Sequence, residues 1–361
     1  MSNKNIIALG AETKTSFSVI SQNGTYTSDQ LDDLLDVNIY KSFESNARGY
    51  LQKNNIIPDV IACDMHPDYR STYLAKEFFA ENKTAKLVKV QHHHAHIVSC
   101  MLDNDINEDV IGVSFDGTGY GLDANFWGGE FLVCNRKDFS RKYHLKYVAI
   151  PGSDIAIMQT WRMAISYLLD AYEGSLEAID TPVLTRIDAK KTEVIKQMIQ
   201  KNINCPLSSS MGRLFDAVSS LVGICDIASF EAEGAIKLEQ VAAKDVLGSY
   251  PYEIIDDVVD LSSMIKKTVK DINDDLDVSI ISALFHNTIG EIIFDVSKRI
   301  SNETNIKKVL VSGGCFLNKY LVNYIEKRFK DSGLELYKHN NVPTTDLGVS
   351  LGQAVVAGTK V

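Results

Sequence analysis

Apolar and polar positions along the chain of 361 residues change period often enough to mark its elements. The first stretch, IIALGAETKTSFSVI, alternates around a glycine, which predicts two strands joined by a tight turn. Helical spacing over 41–53 gives way to a strand, PDVIACD, and then to a helix over 72–81. A short strand, KLVKV, ends at a cluster of histidines, and residues 94–102 set Ile97, Cys100 and Met101 at helical spacing. At Asp109 the opening pattern begins again. DVIGVSFDGTGYG is an apolar strand running into a glycine-rich turn, and GGEFLVCNR is its return. The strand–glycine turn–strand arrangement therefore occurs twice, about a hundred residues apart. Helices dominate the middle, at 159–172, 189–202, 211–223, 231–244 and 278–302. KKVLVSG then meets another glycine turn, followed by a helix, a short strand LELYK and a closing helix over 349–357. Strands then helices, repeated once, predict an α/β protein of two halves with mixed sheets.

Composition narrows the class. The length suits two domains rather than one core, and 45% apolar with 23% charged residues is ordinary globular usage. No apolar run approaches a membrane span, and the N-terminus lacks the pattern of a secretory signal, so a cytoplasmic location is expected. Six cysteines (Cys63, Cys100, Cys134, Cys205, Cys225 and Cys315) are scattered with no CxxC, which argues for reduced thiols rather than a disulfide framework or a structural zinc site. The net charge of −10 disfavours nucleic acid as a partner, and the one dense basic window, NRKDFSRK, is short and interrupted.

The sharpest chemical feature is QHHHAH. His92 and His96 lie four apart, so a helix beginning there puts both imidazoles on one face, as a shared metal requires. His93 and His94 point elsewhere, to orient substrate or to fill space. The segment is not the HExxH signature, since no glutamate follows the first histidine. FDGTGYG places Asp116 at a strand end before bare backbone amides, which can cradle phosphate while the carboxylate reaches a hard cation; an everyday Asp-Gly turn is the plainer reading of that segment alone. VSGGCFLN is a second glycine turn, before a helix N-terminus, suited to a nucleotide or simply to a strand–helix turn. Asp346 sits in a loop before the last helix, where spacing favours a helix cap over a metal ligand. Gly212 and Asp216 open a helix in SSMGRLFDAV, and burial of Leu214, Phe215 and Val218 competes there with a carboxylate for ribose hydroxyls. GAETK offers Lys14 to a phosphate or to solvent. Cys315, inside the second glycine turn, reads as a small buried hydrophobe rather than a nucleophile.

Taken in order, DMHPDYRST, VQHHHAHI, SFDGTGYG with WGGEFL, QTWRMA, SSMGRLFDAV, VSGGCFLN and PTTDLGVSLGQA resemble the carbamoyltransferase region of the hydrogenase maturation factors called HypF, from Ala8 to Ala357. The resemblance implies an actin-like ATPase fold of two duplicated ribonuclease-H-like domains with nucleotide between them. The expected division is a first domain over 1–106, with a C-terminal helix over 339–361 packing back on it, and a second over 107–338 with a helical insertion. By the same resemblance His92, His96, Asp116 and Asp346 ligate one divalent metal, and Gly117, Thr118 and Gly119 bind phosphate. Gly212, Asp216 and Asn318 hold the adenosine, flanked by Gly313 and Gly314, and Lys14 matches the lysine of the first hairpin. Lys14 and Asp116 are the expected catalytic pair. Two histidines with carboxylates suit Fe(II), with Zn(II) and Mn(II) as alternatives.

The activity so implied is carbamoyl transfer from carbamoyl-adenylate to an acceptor, in this family the C-terminal cysteine of a HypE-like protein in [NiFe]-hydrogenase maturation. O-carbamoyl transfer to a small metabolite is an alternative. So is threonylcarbamoyl transfer to tRNA, whose enzymes typically carry HMEGH where this chain has HHHAH. Family members carry, ahead of this region, an acylphosphatase domain, CxxC zinc fingers and a YrdC-like domain. This chain opens on the transferase region, as an excised part or as a stand-alone protein supplied with carbamoyl-adenylate by a YrdC-like protein in trans. It also has GAETKTSF where the family tends to GGELKNTF, and Phe230-Glu231-Ala232-Glu233 where Tyr-Glu-Gly-Gln is usual.

Overall fold

The computed structural model describes residues 4–177 and 179–361, so residues 1–3 of the expected first domain lie outside it. Strands β1 (Ile6–Ala8), β2 (Ser18–Ser21), β3 (Gly24–Thr27), β4 (Val60–Asp64) and β5 (Lys86–Val90) form one sheet in the order β3-β2-β1-β4-β5. The first three are antiparallel neighbours, whereas β4 runs parallel to both β1 and β5. Helices α1 (Val37–Lys53), α2 (Arg70–Glu81) and α3 (His92–Asp103) connect and flank these strands. The sequence suits the interior position of β4, between β1 and β5: VIACD is buried on both faces, as a near-continuous apolar run in a parallel setting must be.

The second sheet starts with an antiparallel meander of β6 (Val110–Tyr120), β7 (Phe126–Cys134) and β8 (Phe139–Leu145). Short β9 (Val148–Ala149) leads into α4 (Ile155–Met158), α5 (Trp161–Ala171), α6 (Pro182–Arg186) and α7 (Ala189–Gln200). After β10 (Leu207–Ser208) come α8 (Met211–Leu221), α9 (Glu233–Val241), β11 (Glu253–Ile255), β12 (Val258–Asp260), α10 (Ser262–Asn273) and the long α11 (Val278–Thr304). The chain then closes with β13 (Lys308–Ser312), α12 (Lys319–Phe329), β14 (Glu335–Tyr337) and α13 (Val349–Thr359). The spine of this sheet, β8-β7-β6-β13-β14, repeats the first sheet strand for strand: a meander, then two parallel strands on the far side of its first member. A ribonuclease-H-like sheet thus occurs twice, which is the actin-like fold. The duplicated strand–turn–strand signal had pointed to it.

Several expectations needed adjustment. The link between β1 and β2 is not a tight turn, because residues 9–17 are held from outside. The Gly10 N–H donates to Gln353 Oε1 at 2.9 Å, and Ser16 Oγ donates to the Leu347 carbonyl at 2.9 Å. Helix α9 is shorter than 231–244, since Ala232 at its start takes a left-handed φ of 64°. Helix α10 and strands β8 to β12 were not anticipated. Helix α13 lies on the first sheet, burying Ala354 and Ala357 against Ile6, Ala8, Val60 and Ala62. Among the described residues no helix is long and apolar enough to cross a membrane.

Candidate metal centre and nucleotide cleft

Three separate elements bring four ligand atoms together. Gln91 caps α3 by accepting the His94 N–H at 2.9 Å, which starts the helix so that His92 and His96 share one face. Asp116 comes from the end of β6, and Asp346 from a 3-10 turn ahead of α13. His96 Nε2 lies 3.1 Å from Asp116 Oδ2 and 3.3 Å from Asp346 Oδ1; the corresponding distances from His92 Nε2 are 3.3 and 3.5 Å. All four ligand atoms fall within 4.8 Å of one another. The helix cap favoured for Asp346 by spacing alone is not what the fold builds. Its side chain caps nothing and faces the histidines instead.

The outer nitrogens of the imidazoles are also held. Asp64 Oδ2, at the end of β4, accepts from His92 Nδ1 at 2.9 Å. Ser312 Oγ lies 3.3 Å from His96 Nδ1 and 2.8 Å from His339 Nε2. Partners of this kind fix the tautomer that presents Nε2 to a cation, and they are what a metal-binding histidine ordinarily has. Asp64, Ser312 and His339 were not identified from the sequence; the one available signal was an aspartate closing a fully apolar strand. Burial by itself would lower His92, but the carboxylates of Asp346, Asp116 and Asp64 hold its pKa well above the ordinary value. Burial would likewise raise Asp116, yet hydrogen bonds from His92 and His96 push it well below the carboxylate range. The residues fit a divalent cation: two imidazole nitrogens and two carboxylate oxygens converge, all buried but the partly exposed Asp346, with their protons exchangeable for a metal charge.

The glycine-rich stretch expected to cradle phosphate lies beside this centre. β6 and β7 pair at Phe115 with Gly129 and next at Gly119 with Trp127, so the stretch from Asp116 to Thr118 bulges out of register. The bulge frees backbone groups at Gly117 and Thr118 from the ladder. Ser210, the cap of α8, donates to the carbonyls of Asp116 and Gly117 and pins the bulge to that helix. Gly212 is required by this closeness, since a Cβ there would lie 3.0 Å from Gly117 Cα. Gly313 has a φ of 108°, and a side chain would meet the Phe115 carbonyl oxygen at 2.2 Å. The Gly314 N–H donates to Asp116 Oδ1 at 3.1 Å, which ties the second glycine turn to the metal carboxylate.

The remaining predicted residues have partners of their own. Lys14, left-handed at φ 47°, pairs with Glu231 at 2.8 Å; that glutamate also sits beside Gly117. Asp216 is buried and already paired with Arg213 at 2.7 Å, so its carboxylate is not simply waiting for a ribose. Asn318 caps α12 through Leu321 at 2.9 Å and contacts His286 at 2.8 Å. Burial pushes the Cys315 thiol well above its ordinary pKa, with nearby carboxylates adding to the effect, and its place in the first turn of a short 3-10 helix does not offset it.

Comparison with known proteins identifies the family of the whole chain. Residues 112–353 match the family described as "Carbamoyltransferase, Kae1-like Domain, second subdomain", and residues 1–103 match "HypF Kae1-like domain". The "Probable carbamoyltransferase HypF" of Methanocaldococcus jannaschii is 32% identical over 357 residues, covering 98% of this chain and 46% of its own length. The "Carbamoyltransferase HypF homolog" of Cupriavidus necator is 32% identical over 336 residues, 90% of this chain and 82% of that protein. A crystal structure of full-length HypF in a phosphate- and nucleotide-bound form superposes with a TM-score of 0.92 at 36% identity, over 99% of this chain and 56% of that one. The T. kodakarensis HypF structure gives 0.89 at 27% identity, over 99% of this chain and 48% of that one. The chain thus spans about half the length of several relatives it matches, and most of the Cupriavidus homologue.

Proposed function

Since this chain belongs to the HypF carbamoyltransferase family, with its Kae1-like region matched over most of the sequence, we propose that it moves a carbamoyl group from carbamoyl-adenylate to an acceptor. We take the acceptor to be the C-terminal cysteine of a HypE-like protein and the donor to come from a YrdC-like protein, in the cytoplasm. The observation that carries the reading is the convergence of His92, His96, Asp116 and Asp346 within 4.8 Å, directly against the bulge at Gly117 and Thr118. A cleft holding phosphate on free amides and a cation on the next side chain suits a mixed anhydride of AMP.

In the reaction the acceptor thiolate attacks the carbamoyl carbon, a C–S bond forms, and the bond from that carbon to the phosphate oxygen breaks. AMP leaves with the electron pair, and the thiol proton has already gone to solvent. A divalent metal on the four ligands, Fe(II) by donor type or else Zn(II) or Mn(II), would supply Lewis acidity toward the donor's oxygens. The amides of Gly117 and Thr118 orient the phosphate and stabilise charge that gathers on it as the anhydride opens. Lys14 stands in reserve, paired with Glu231, whose other carboxylate oxygen lies beside Gly117. Asp64 and Ser312 keep His92 and His96 in one orientation. Residues 1–106 with 339–361 and residues 107–338 form the two domains on either side of the cleft in this proposal.

The test is to incubate the purified chain, carbamoyl-adenylate and a HypE-like protein and to weigh the partner. The expected result is one carbamoyl group on its terminal cysteine with release of AMP. An unmodified partner, with donor intact and metal bound, overturns the reading.

A further inference from the structure

Helix α11 carries a histidine that none of the chemistry above uses. His286 is fully buried. Rings of Phe215, Phe285 and Tyr320 surround it at centroid distances of 5.5, 5.5 and 5.1 Å. Those neighbours are informative: Phe215 precedes Asp216 on α8, and Tyr320 opens α12 two residues after Asn318. His286 therefore sits where two walls of the proposed nucleotide pocket meet.

Its hydrogen bonds leave one arrangement of protons. His286 Nδ1 faces the Ser282 carbonyl at 2.7 Å, an acceptor only, so Nδ1 must carry the proton. In a neutral ring Nε2 is then an acceptor, and its partner at 2.8 Å is the side-chain nitrogen of Asn318. That assignment agrees with the other end of the amide. Asn318 Oδ1 accepts the Leu321 N–H at 2.9 Å as the cap of α12, so oxygen and nitrogen cannot be exchanged without losing both bonds. Burial also lowers His286 to about pH 4, so the ring stays neutral and Nε2 stays an acceptor at neutral pH. One hydrogen of the Asn318 amide is spent on His286, its oxygen is spent on the cap, and one N–H remains.

We infer that His286 is a positioning residue that fixes the Asn318 amide nitrogen-inward, so that the remaining N–H is offered to a ring acceptor of the purine base. Asn318 then selects the base, and His286 sets what Asn318 can select. The inference rests on the proposed adenine-nucleotide cleft and adds the source of its base recognition. Tyr320 and Asn287 brace the arrangement: Tyr320 OH donates to Asn287 Oδ1 at 3.1 Å, and Asn287 in turn holds the carbonyls of Val246 and Gly248.

The experiment compares binding of AMP with ribose 5-phosphate to the full chain by calorimetry. His286→Phe keeps a ring among the aromatics and removes the acceptor, freeing the amide to turn. AMP binding is expected to weaken about 10-fold, the worth of one hydrogen bond, while ribose 5-phosphate affinity stays the same. His286→Gln, which offers an amide oxygen to Asn318, should recover most of the loss. Asn318→Asp keeps the α12 cap but has no N–H to give, and should match the phenylalanine variant. Unchanged AMP binding in His286→Phe and Asn318→Asp overturns the inference, as does an equal loss of both ligands in variants that melt like the wild type. If the wild-type chain itself binds AMP no better than ribose 5-phosphate, the adenine pocket of the proposed function falls, and that result is distinct from any variant's.

Discussion

At the level of single side chains, the proposed metal centre depends on groups outside the four ligand candidates. Asp64 is fully buried and holds His92 by one hydrogen bond of 2.9 Å. Asp64→Asn keeps its size but weakens the carboxylate's grip on the ring, and should lower metal affinity about 10- to 100-fold with little loss of fold. Metal titration of the purified variant, beside His92→Ala as the ligand-deleted reference, measures it; wild-type affinity would remove Asp64 from the account. Cys315 makes the opposite case. Its raised pKa leaves almost no thiolate at neutral pH, so Cys315→Val should retain most of the transferase activity. A dead variant with metal and nucleotide binding intact would require a two-step reaction through that cysteine.

Among the elements, α3 and α13 pack with their backbones close together. A Cβ on Gly352 would lie 1.9 Å from the Ala95 carbonyl oxygen, which is backbone and cannot swing away. Gly352→Ala must therefore part the helix bearing both histidines from the segment bearing Asp346. Overpacking of this kind typically costs about 1–3 kcal/mol, and here metal affinity should fall along with the melting temperature. A calorimetric scan with and without metal reads both effects; a variant as stable as wild type would mean that the helices slide without penalty.

This contact also marks the limit of what the sequence discloses. The helices α5, α7, α8 and α11 were legible because each carries a long apolar stripe, and the histidine pair was legible from its spacing on one helix. Asp346 was legible only through the family resemblance, because the histidines it faces lie 250 residues away or more and its local setting looks like an ordinary cap. Strand β8 hid inside FSRKYHL, whose alternating charges read as a basic window, and β9 and β10, of two residues each, leave no periodic trace. Asp64, Ser312 and His339 meet through the fold alone.

Across the whole molecule, the first β-hairpin link meets the helical region over the cleft through Lys14 and Glu231. Both side chains are about half exposed, so the pair should contribute no more than about 1 kcal/mol to stability. Glu231→Gln is thus expected to melt near the wild-type temperature. It should also bind ATP more tightly at low salt, because Lys14 is released toward the phosphates, and the gain should fade as salt rises. Equal ATP affinities for variant and wild type at low salt would take Lys14 out of the phosphate site.

The placement of α13 on the first sheet has a consequence for how the chain is made. The strands that need this helix end at Val90, and the helix does not begin until Val349. At about 5–20 residues per second of synthesis, that gap is on the order of 10–50 s during which Ile6, Ala8, Val60 and Ala62 wait uncovered outside the ribosome. The second sheet can complete itself meanwhile, since its own five-stranded spine closes with β14. Of the two sheets, the one made earlier is therefore the last to be finished, and its back stays an apolar strip until the final helix arrives to cover it.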